Sequence, residues 1–333
     1  MIYNFTENIK QTIQKYHIKS ILLAVSGGKD SISLIQLINK TKKKLLNRRI
    51  NFTIEYIYVD HQWQKNSKSQ VLHLINYIKG LNEKIYIYQI KSIKLSEYKC
   101  RIARYHIIIR HAIKYKYKLI ITAHNATDKV ETLIQNLIRG CGIEGITSLI
   151  TNSKIHQEIY LIRPLANIKH DTNYWMCKKL SLPVWSDNTN YKYNIQRNRT
   201  RNELMPYIKK YFNINIENNI RYLQKNYYYE NEYIKQNTIK FYFKIKHRQY
   251  ISLNLNQLKK QNIALQSRII QLFCVHAFNV YLNHDKIILI IKLAQKKLNL
   301  NYLLNIKLNK IKLYLHLKEN KKWLYAKINI NNN

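Results

Sequence analysis

From Ile21 to Tyr211, short apolar runs bounded by polar turns alternate with segments whose apolar residues recur every three to four positions. The runs Ile21 to Val25, Phe52 to Val59, Lys84 to Ile90 and Leu119 to Thr122 are too short for helices and rich in Ile, Leu, Val and Tyr, so they predict strands. Ile159 to Ile162 predicts one more, closed by Arg163-Pro164. Helical periodicity marks the segment containing Ile32 to Ile38, then Gln70 to Lys79 behind the polar stretch Gln62 to Ser69. It returns at Ser96 to Tyr115, Asp128 to Arg139, Asp171 to Lys179 and Asn202 to Tyr211. This alternation predicts an α/β fold of βαβ units around a parallel sheet, with ligands at the carboxyl ends of the strands. Three polar stretches follow strand ends directly: Ser26 to Ser31, Asp60-His61 and Ala123-His124. They are expected to line one crevice.

Asp187 to Arg201 is polar and basic with no apolar period, which predicts a loop, either functional or disordered. The helix to Tyr211 is expected to end a first domain of residues 1–212, with Asn213 to Asn219 as the candidate linker. Residues 220–333 read as a small, largely helical basic domain, with helical patterns at Ile220 to Phe243 and Gln261 to Tyr281. Alternating strands follow, among them Ile306 to Leu308 and Ile311 to Leu317. A length of 333 residues also suits two domains. The run Tyr227-Tyr228-Tyr229 reads as packing or compositional drift rather than a base-stacking platform.

Charge adds a partner. Lys and Arg number 57 against 18 Asp and Glu, a formal net charge of +39. Such an excess predicts a polyanion, nucleic acid ahead of an anionic membrane. Part of it is the drift of AT-rich codons, which favour the Ile, Lys, Asn and Tyr filling this chain; the attraction to phosphate is the same whatever its origin. No apolar run approaches the ~18 residues of a membrane span. Met1 to Ser20 has no signal-like apolar core and no arginine, so a soluble protein without an export or import address is expected. Cys100, Cys141, Cys177 and Cys274 have no C-x-x-C spacing, which disfavours disulfides and zinc and suits a reducing compartment.

Drift also makes the scarce residues informative. Five of the six glycines fall in two stretches, Gly27-Gly28 and Gly140, Gly142 and Gly145; Gly80 stands alone. Asp30, Asp60, Asp128 and Asp187 likewise fall in the polar segments, and only Asp171 and Asp285 fall outside.

The candidate chemistry begins at Ser26-Gly27-Gly28-Lys29-Asp30-Ser31, where the order strand, tight turn, helix makes a nest of backbone donors for phosphate or pyrophosphate. The alternative is a plain turn capped by Asp30 or Ser31. Lys29 is not a Walker lysine, because the glycine that motif needs is replaced by Leu23. In His124 to Thr132, Asp128 and Glu131 share a helix face near its start. That pair suits Mg²⁺, or an amine, or else a capping box begun at Thr127 or Asp128. Arg139, Gly140 and Gly142 form a loop able to lie against a ligand, with Cys141 a small buried residue rather than a nucleophile. Arg101 and Arg104, beside Tyr105, clamp a phosphate or carboxylate or are merely solvated. Arg197, Arg199 and Arg201, at alternate positions after the Asp187 to Asn190 turn, form a basic site for polyphosphate or RNA backbone.

Taken in order, these motifs, with Arg163-Pro164-Leu165, resemble the tRNA(Ile)-lysidine synthetase family of the PP-loop adenylating superfamily, from about Ser20 to Pro206. The resemblance implies a PP-loop ATPase domain of the adenine nucleotide alpha hydrolase type and a small tRNA-binding domain after it. It implies ATP-dependent ligation of L-lysine to C2 of the wobble cytidine of a CAU-anticodon tRNA(Ile), through a base adenylated at O2, with Mg²⁺. By motif position, Ser26, Gly27, Gly28, Lys29, Asp30 and Ser31, with Asp60, His61, Arg139, Gly140 and Gly142, go to ATP. Asp30, Asp128 and Glu131 go to Mg²⁺, the last two alternatively to the lysine amine. Arg104 goes to the adenylate or the lysine carboxylate, and His124 to the crevice. Arg163, Asn190, Arg197, Arg199 and Arg201 go to tRNA. Gln64, Asn188-Thr189 and Cys141 depart from the family's usual residues.

A tRNA 2-thiolation enzyme and a non-catalytic RNA-binding protein are the rival readings. The first carries sulfur on cysteines that are often paired, and none here is paired; the second leaves the carboxylates and glycines unexplained. No membrane partner is expected, and a dimer is allowed but not required. Composition favours a plastid-encoded stromal protein, with a reduced bacterial genome as the alternative.

Overall fold

The computed structural model describes residues 2–60, 67–90, 97–148, 152–185, 196–295, 304–308, 311–317 and 323–330. The chain divides into two compact units, Met1–Tyr227 and Tyr228–Asn333.

The first unit opens with α1 (Ile2–Tyr16), β1 (Ser20–Ala24), α2 (Lys29–Leu46), β2 (Thr53–Asp60), α3 (Ser67–Lys79), β3 (Lys84–Gln89), α4 (Glu97–Lys114) and β4 (Leu119–Thr122). It continues through α5 (Ala126–Ile138), α6 (Ile143–Ile146), β5 (Asn152–Lys154), β6 (Tyr160–Ile162), α7 (His170–Lys179), α8 (Gln196–Arg199), a wide turn at Thr200–Leu204, α9 (Met205–Tyr211) and α10 (Ile216–Ile245). The sheet order is β3-β2-β1-β4-β6-β5. All neighbours are parallel except β5, which runs antiparallel on β6 at the edge.

Strand alternation explains the continuous apolar runs. Ile21 and Leu23 of β1, Tyr56 and Tyr58 of β2, and Leu119 and Ile121 of β4 pack on one face with Phe5, Ile9 and Ile13 of α1 and Ile32 and Ile35 of α2. Leu22, Ile57, Val59 and Ile120 point the other way, onto Ile108 and Ala112 of α4. A sheet covered on both faces needs apolar side chains at every position, so its strands do not alternate in polarity. Each fully buried Leu or Ile contributes about 1.5–3 kcal/mol.

The chain leaves β1 towards β2 on one side and enters β4 on the other. Between β1 and β4 the connections therefore diverge, and a crevice opens beyond the strand ends. Ala24 and Thr122 are register partners at that point. The turns to α2 and to α5 start immediately after them.

Three expectations need correction. Gln196 to Arg201 is helical rather than part of a loop. A wide turn joins it to α9 just before Pro206, which has no N–H to give: Met205 N–H donates to Thr200 O, a bond spanning one residue more than an α-helical one. Helix α5 begins at Ala126, two residues before Asp128, because Asn125 caps it. Helix α10 begins at Ile216, inside the stretch read as a linker, and runs through the division between the units. Helix α1, whose Phe5, Ile9 and Ile13 recur every fourth residue, is an addition to the predicted elements.

The second unit continues from α10 with β7 (Ser252–Asn254), α11 (Leu255–Lys259), α12 (Ile263–Phe278), α13 (His284–Gln295), β8 (Leu304–Leu308), β9 (Ile311–Leu317) and β10 (Trp323–Ile330). Its helical part packs Tyr242, Ile269, Ile270, Phe273 and Ile290 around Leu253 and Leu324. The strands form an antiparallel sheet in the order β7-β10-β9-β8. Among the described residues, no helix is long and apolar enough to cross a membrane.

Candidate active site

The loop after β1 is built to expose donors. Gly27 has φ of +73°, a conformation side chains rarely adopt. Its carbonyl accepts from Trp185 N–H at 3.2 Å, and the Ser26 carbonyl accepts from Gln70 Nε2 at 3.0 Å. Outside donors thus hold the loop's carbonyls, and the first turn of α2 follows with Gly28 at its N-cap and no side-chain cap. Neither Asp30 nor Ser31 caps it. Ser31 Oγ instead accepts from Ser26 N–H at 3.0 Å and lies 2.9 Å from Ser26 Oγ. An uncapped helix start behind a positive-φ glycine leaves N–H groups and a positive dipole end for an anion.

Asp30 sits in that first turn and is gripped from α7. Asn173 Nδ2 donates to Asp30 Oδ1 at 2.7 Å, and Asn173 Oδ1 accepts from Ser33 Oγ at 3.3 Å. Asn173 is fully buried, and Cys177, one turn on, donates from Sγ to Lys29 O at 3.4 Å. Burial raises the Asp30 carboxyl above its ordinary value, against the lowering effect of Asn173 and His170 and with the negative Asp128 adding to the rise. Lys29 turns aside, its Nζ 5.3 Å from the Tyr174 ring centroid.

The second helix start is finished differently. Asn125 Oδ1 accepts from Asp128 N–H at 2.9 Å, and Asp128 Oδ2 accepts from Asn125 N–H at 2.9 Å. The capping box expected from Thr127 or Asp128 thus starts at Asn125. Asp128 still has Oδ1 for other partners, and two arginines use it: Arg197 Nη2 at 2.7 Å and Arg201 Nη2 at 3.2 Å. Glu131, fully buried, accepts from Arg197 Nε at 2.8 Å, Arg201 Nε at 2.5 Å and Arg201 Nη2 at 3.0 Å. Two carboxylates and two guanidiniums neutralise one another in a compact cluster. Burial pushes the Asp128 carboxyl up, but Arg197, Arg201 and the Asn125 N–H together bring it below its ordinary value.

Helical spacing sorts the three arginines. Arg197 and Arg201 are four apart and share the face towards Glu131, whereas Arg199 points away and pairs with Glu203 at 3.0 Å. An alternate-position reading suits a strand or loop, and the segment is neither.

His124 ends the β4 turn with Nδ1 3.0 Å from Thr122 Oγ1. Burial holds its imidazole well below the ordinary value, and the positive Arg101, Arg163 and Arg104 push the same way. It is therefore neutral at pH 7. Arg101 also lies 5.6 Å from the Tyr105 ring. Arg163, buried, follows β6. Lys129, beside the cluster, is drawn down to about 8 by burial and by Arg221 and Arg163.

Asp60 is buried at the end of β2, its carbonyl accepting from Ile90 N–H at 2.9 Å. His61 and Asn190 lie outside the described residues, as do Asp187, Asn188 and Thr189. In the glycine loop, Gly140 has φ of +75° and ends α5, and Gly142 is the N-cap of α6. A Cβ on Gly145 would stand 2.4 Å from Cys141 Cβ, so packing demands that glycine. Arg139 donates to Asn136 Oδ1 at 2.7 Å. Gln70, Asn173 and Trp185 complete the loop's surroundings without standing out in the sequence.

Comparisons with known proteins agree with this arrangement. A family model described as a PP-loop domain matches residues 1–208. The chain is 44% identical over 308 residues to a chloroplastic tRNA(Ile)-lysidine synthase of Gracilaria tenuistipitata var. liui, covering 92% of each chain. It is 32% identical to the chloroplastic tRNA(Ile)-lysidine synthase of Pyropia yezoensis, covering 87% of this chain and 88% of that one. Among solved structures, the U34-tRNA thiolase NcsA from Methanococcus maripaludis is similar in fold, with a TM-score of 0.52 and 17% identity over 66% of this chain and 79% of that one. With an ATP-binding PP-loop domain and relatives matched along nearly their whole length, this chain belongs to the tRNA(Ile)-lysidine synthase family of enzymes.

Proposed function

We propose that this enzyme ligates L-lysine to C2 of the wobble cytidine, C34, of a CAU-anticodon tRNA(Ile), converting ATP to AMP and pyrophosphate through an O2-adenylated cytidine. The observation that carries the reading is the likeness to chloroplastic lysidine synthases along about nine-tenths of each chain. The two helix starts supply a rationale for the two half-reactions.

Cytosine O2 is a poor leaving group until it carries a phosphoryl group. In the first step O2 attacks the α-phosphorus and pyrophosphate departs. The N–H groups of Gly28 to Ser31, with the Ser26 and Ser31 hydroxyls, hold the phosphates and offset the charge that grows on them. Asp60, Arg139, Gly140 and Gly142 are assigned to the rest of the nucleotide, with His61. Asp30 fits Mg²⁺: it is a half-buried carboxylate in the first turn of α2, held by Asn173 and with no basic ion-pair partner among the described residues, so it would offer the ion an oxygen beside the phosphates. Bound there, Mg²⁺ supplies charge to the departing pyrophosphate.

In the second step the lysine amine attacks C2 and AMP departs. Asp128 and Glu131 already accept N–H donors from two cations, so an ammonium suits them better than a metal ion. They are the groups placed to hold that ammonium and take its proton, once Arg197 and Arg201 yield. Neutral His124 orients the reacting base, and Arg104 takes the adenylate or the lysine carboxylate. Arg163, Arg199 and Asn190 are assigned to the RNA, with Arg197 and Arg201 joining them when released. The compartment proposed is the plastid stroma.

The thiolation rival gains nothing from Cys177 or Cys274. Burial pushes Cys177 to about 11, with Asp30 adding to it, and pushes Cys274 to about 12. Neither is a ready thiolate.

The deciding assay combines purified protein, ATP, Mg²⁺, radiolabelled lysine and a CAU-anticodon tRNA(Ile) transcript. Label enters the tRNA if the reading holds. Folded protein that leaves a proven transcript unlabelled overturns it.

A further inference from the structure

Helix α7 has two chemically different faces. Asn173 and Cys177, four apart, hold the start of α2, and Met176 packs beside them on Ser33. Tyr174, Trp175 and Lys178 occupy the remaining arc, with Trp175 62% exposed and Tyr174 45% exposed. The two rings meet edge-on, their centroids 5.8 Å apart and their planes at 72°. Lys178 Nζ stands 5.2 Å from the indole centroid. Lys29, a residue of the phosphate loop, reaches the Tyr174 ring from the other end. Two aromatic rings and two ammonium groups therefore form a strip that begins at the phosphate loop and continues along α7.

Exposed rings interleaved with lysines match an unpaired nucleotide: the rings stack on a base, and the ammonium groups meet its phosphates. A base turned out of an RNA loop to react also strips its neighbours of a stacking partner, and an enzyme surface can replace it. We propose that the Tyr174–Trp175–Lys178 face, together with Lys29, is a stacking surface for the nucleotide adjoining the one that enters the crevice. The proposal rests on the tRNA reading above and adds a defined place for a second base.

The test uses the full chain, a CAU anticodon stem-loop RNA and the complete tRNA. Trp175→Gln is expected to weaken stem-loop binding about tenfold and to lower kcat/KM for tRNA equally, leaving KM for ATP unchanged. Trp175→Phe, which keeps a ring, retains binding within about threefold. With a stem-loop made abasic on both sides of C34, the difference between wild type and Trp175→Gln disappears. Equal binding by Trp175→Gln and Trp175→Phe overturns the proposal, as does a loss that persists with the abasic RNA. A Trp175→Gln loss shared by KM for ATP points to a structural role and also overturns it. If wild type neither binds the RNA nor incorporates lysine, the tRNA reading itself has failed. If it does both and the variants match it, only this surface has failed.

Discussion

Two helices start side by side at the same crevice, α2 behind β1 and α5 behind β4, and their first turns are opposites. Glycine stands at the N-cap of α2, no side chain covers its N–H groups, and its one acid is tied sideways to Asn173. Asparagine stands at the N-cap of α5, a reciprocal pair of hydrogen bonds closes it, and two arginines cancel its acids. An open helix start costs stability, because caps contribute roughly 1 kcal/mol each. The open end is where an anionic ligand can supply the missing partner; at the closed end, side chains are positioned for a cation.

The comparison breaks most forcefully at Glu131. Glu131→Ala leaves two guanidiniums with Asp128 as their one remaining shared carboxylate and is expected to cost about 3–5 kcal/mol in urea denaturation, with lysine incorporation abolished. Next comes acid. The folded protein holds His124 neutral while the unfolded chain takes up a proton below about pH 6.5, so stability present at higher pH is lost as pH falls through that value. The loss approaches about 1.4 kcal/mol per pH unit only well below pH 6.5, and His124→Gln should remove about 1.4 kcal/mol in all from the fall in stability between pH 7.5 and 5.5. Exchanging the caps sharpens the contrast at up to about 1 kcal/mol. Gly28 has an extended backbone and space for a side chain, so Gly28→Asn should cap α2 and raise stability by a few tenths of a kcal/mol while ATP binding weakens at least tenfold in calorimetry. Asn125→Ala should do the reverse at α5, losing roughly 1 kcal/mol with ATP binding intact. Smallest is Arg199→Ala, which removes an exposed pair and should change stability by less than about 0.5 kcal/mol, in contrast to Arg201→Ala.

Legibility in the sequence tracks the range of the forces involved. Strands β1 to β4 and the main helices of the first unit are written in local periodicity, and the opening loop in a glycine pair where drift has thinned glycine elsewhere. The Asn125 cap lies one step from legible, since its box partner Asp128 stands out by itself. Arg197 and Arg201 are conspicuous as charges but not as partners of Glu131, because a segment with no apolar period reads as a loop and its alternate arginines hide a four-residue helical repeat. Asn173 is beyond local reading. It meets Asp30 across 143 positions, and an asparagine inside a helix has no signature that tells a buried clasp from a solvated side chain.

The wide turn at Thr200–Leu204 also sets an angle. A helix turn that closes one residue late is equivalent to a single-residue insertion, and it rotates the segment before it by about 100° relative to the segment after it. Gln196–Arg199 and Met205–Tyr211 are thus two differently phased pieces of one rod, and the join works as a gear between them. Changing the tooth count there, by deleting one residue or restoring a regular turn, would re-aim the arginine side of the rod while leaving the Met205 side seated.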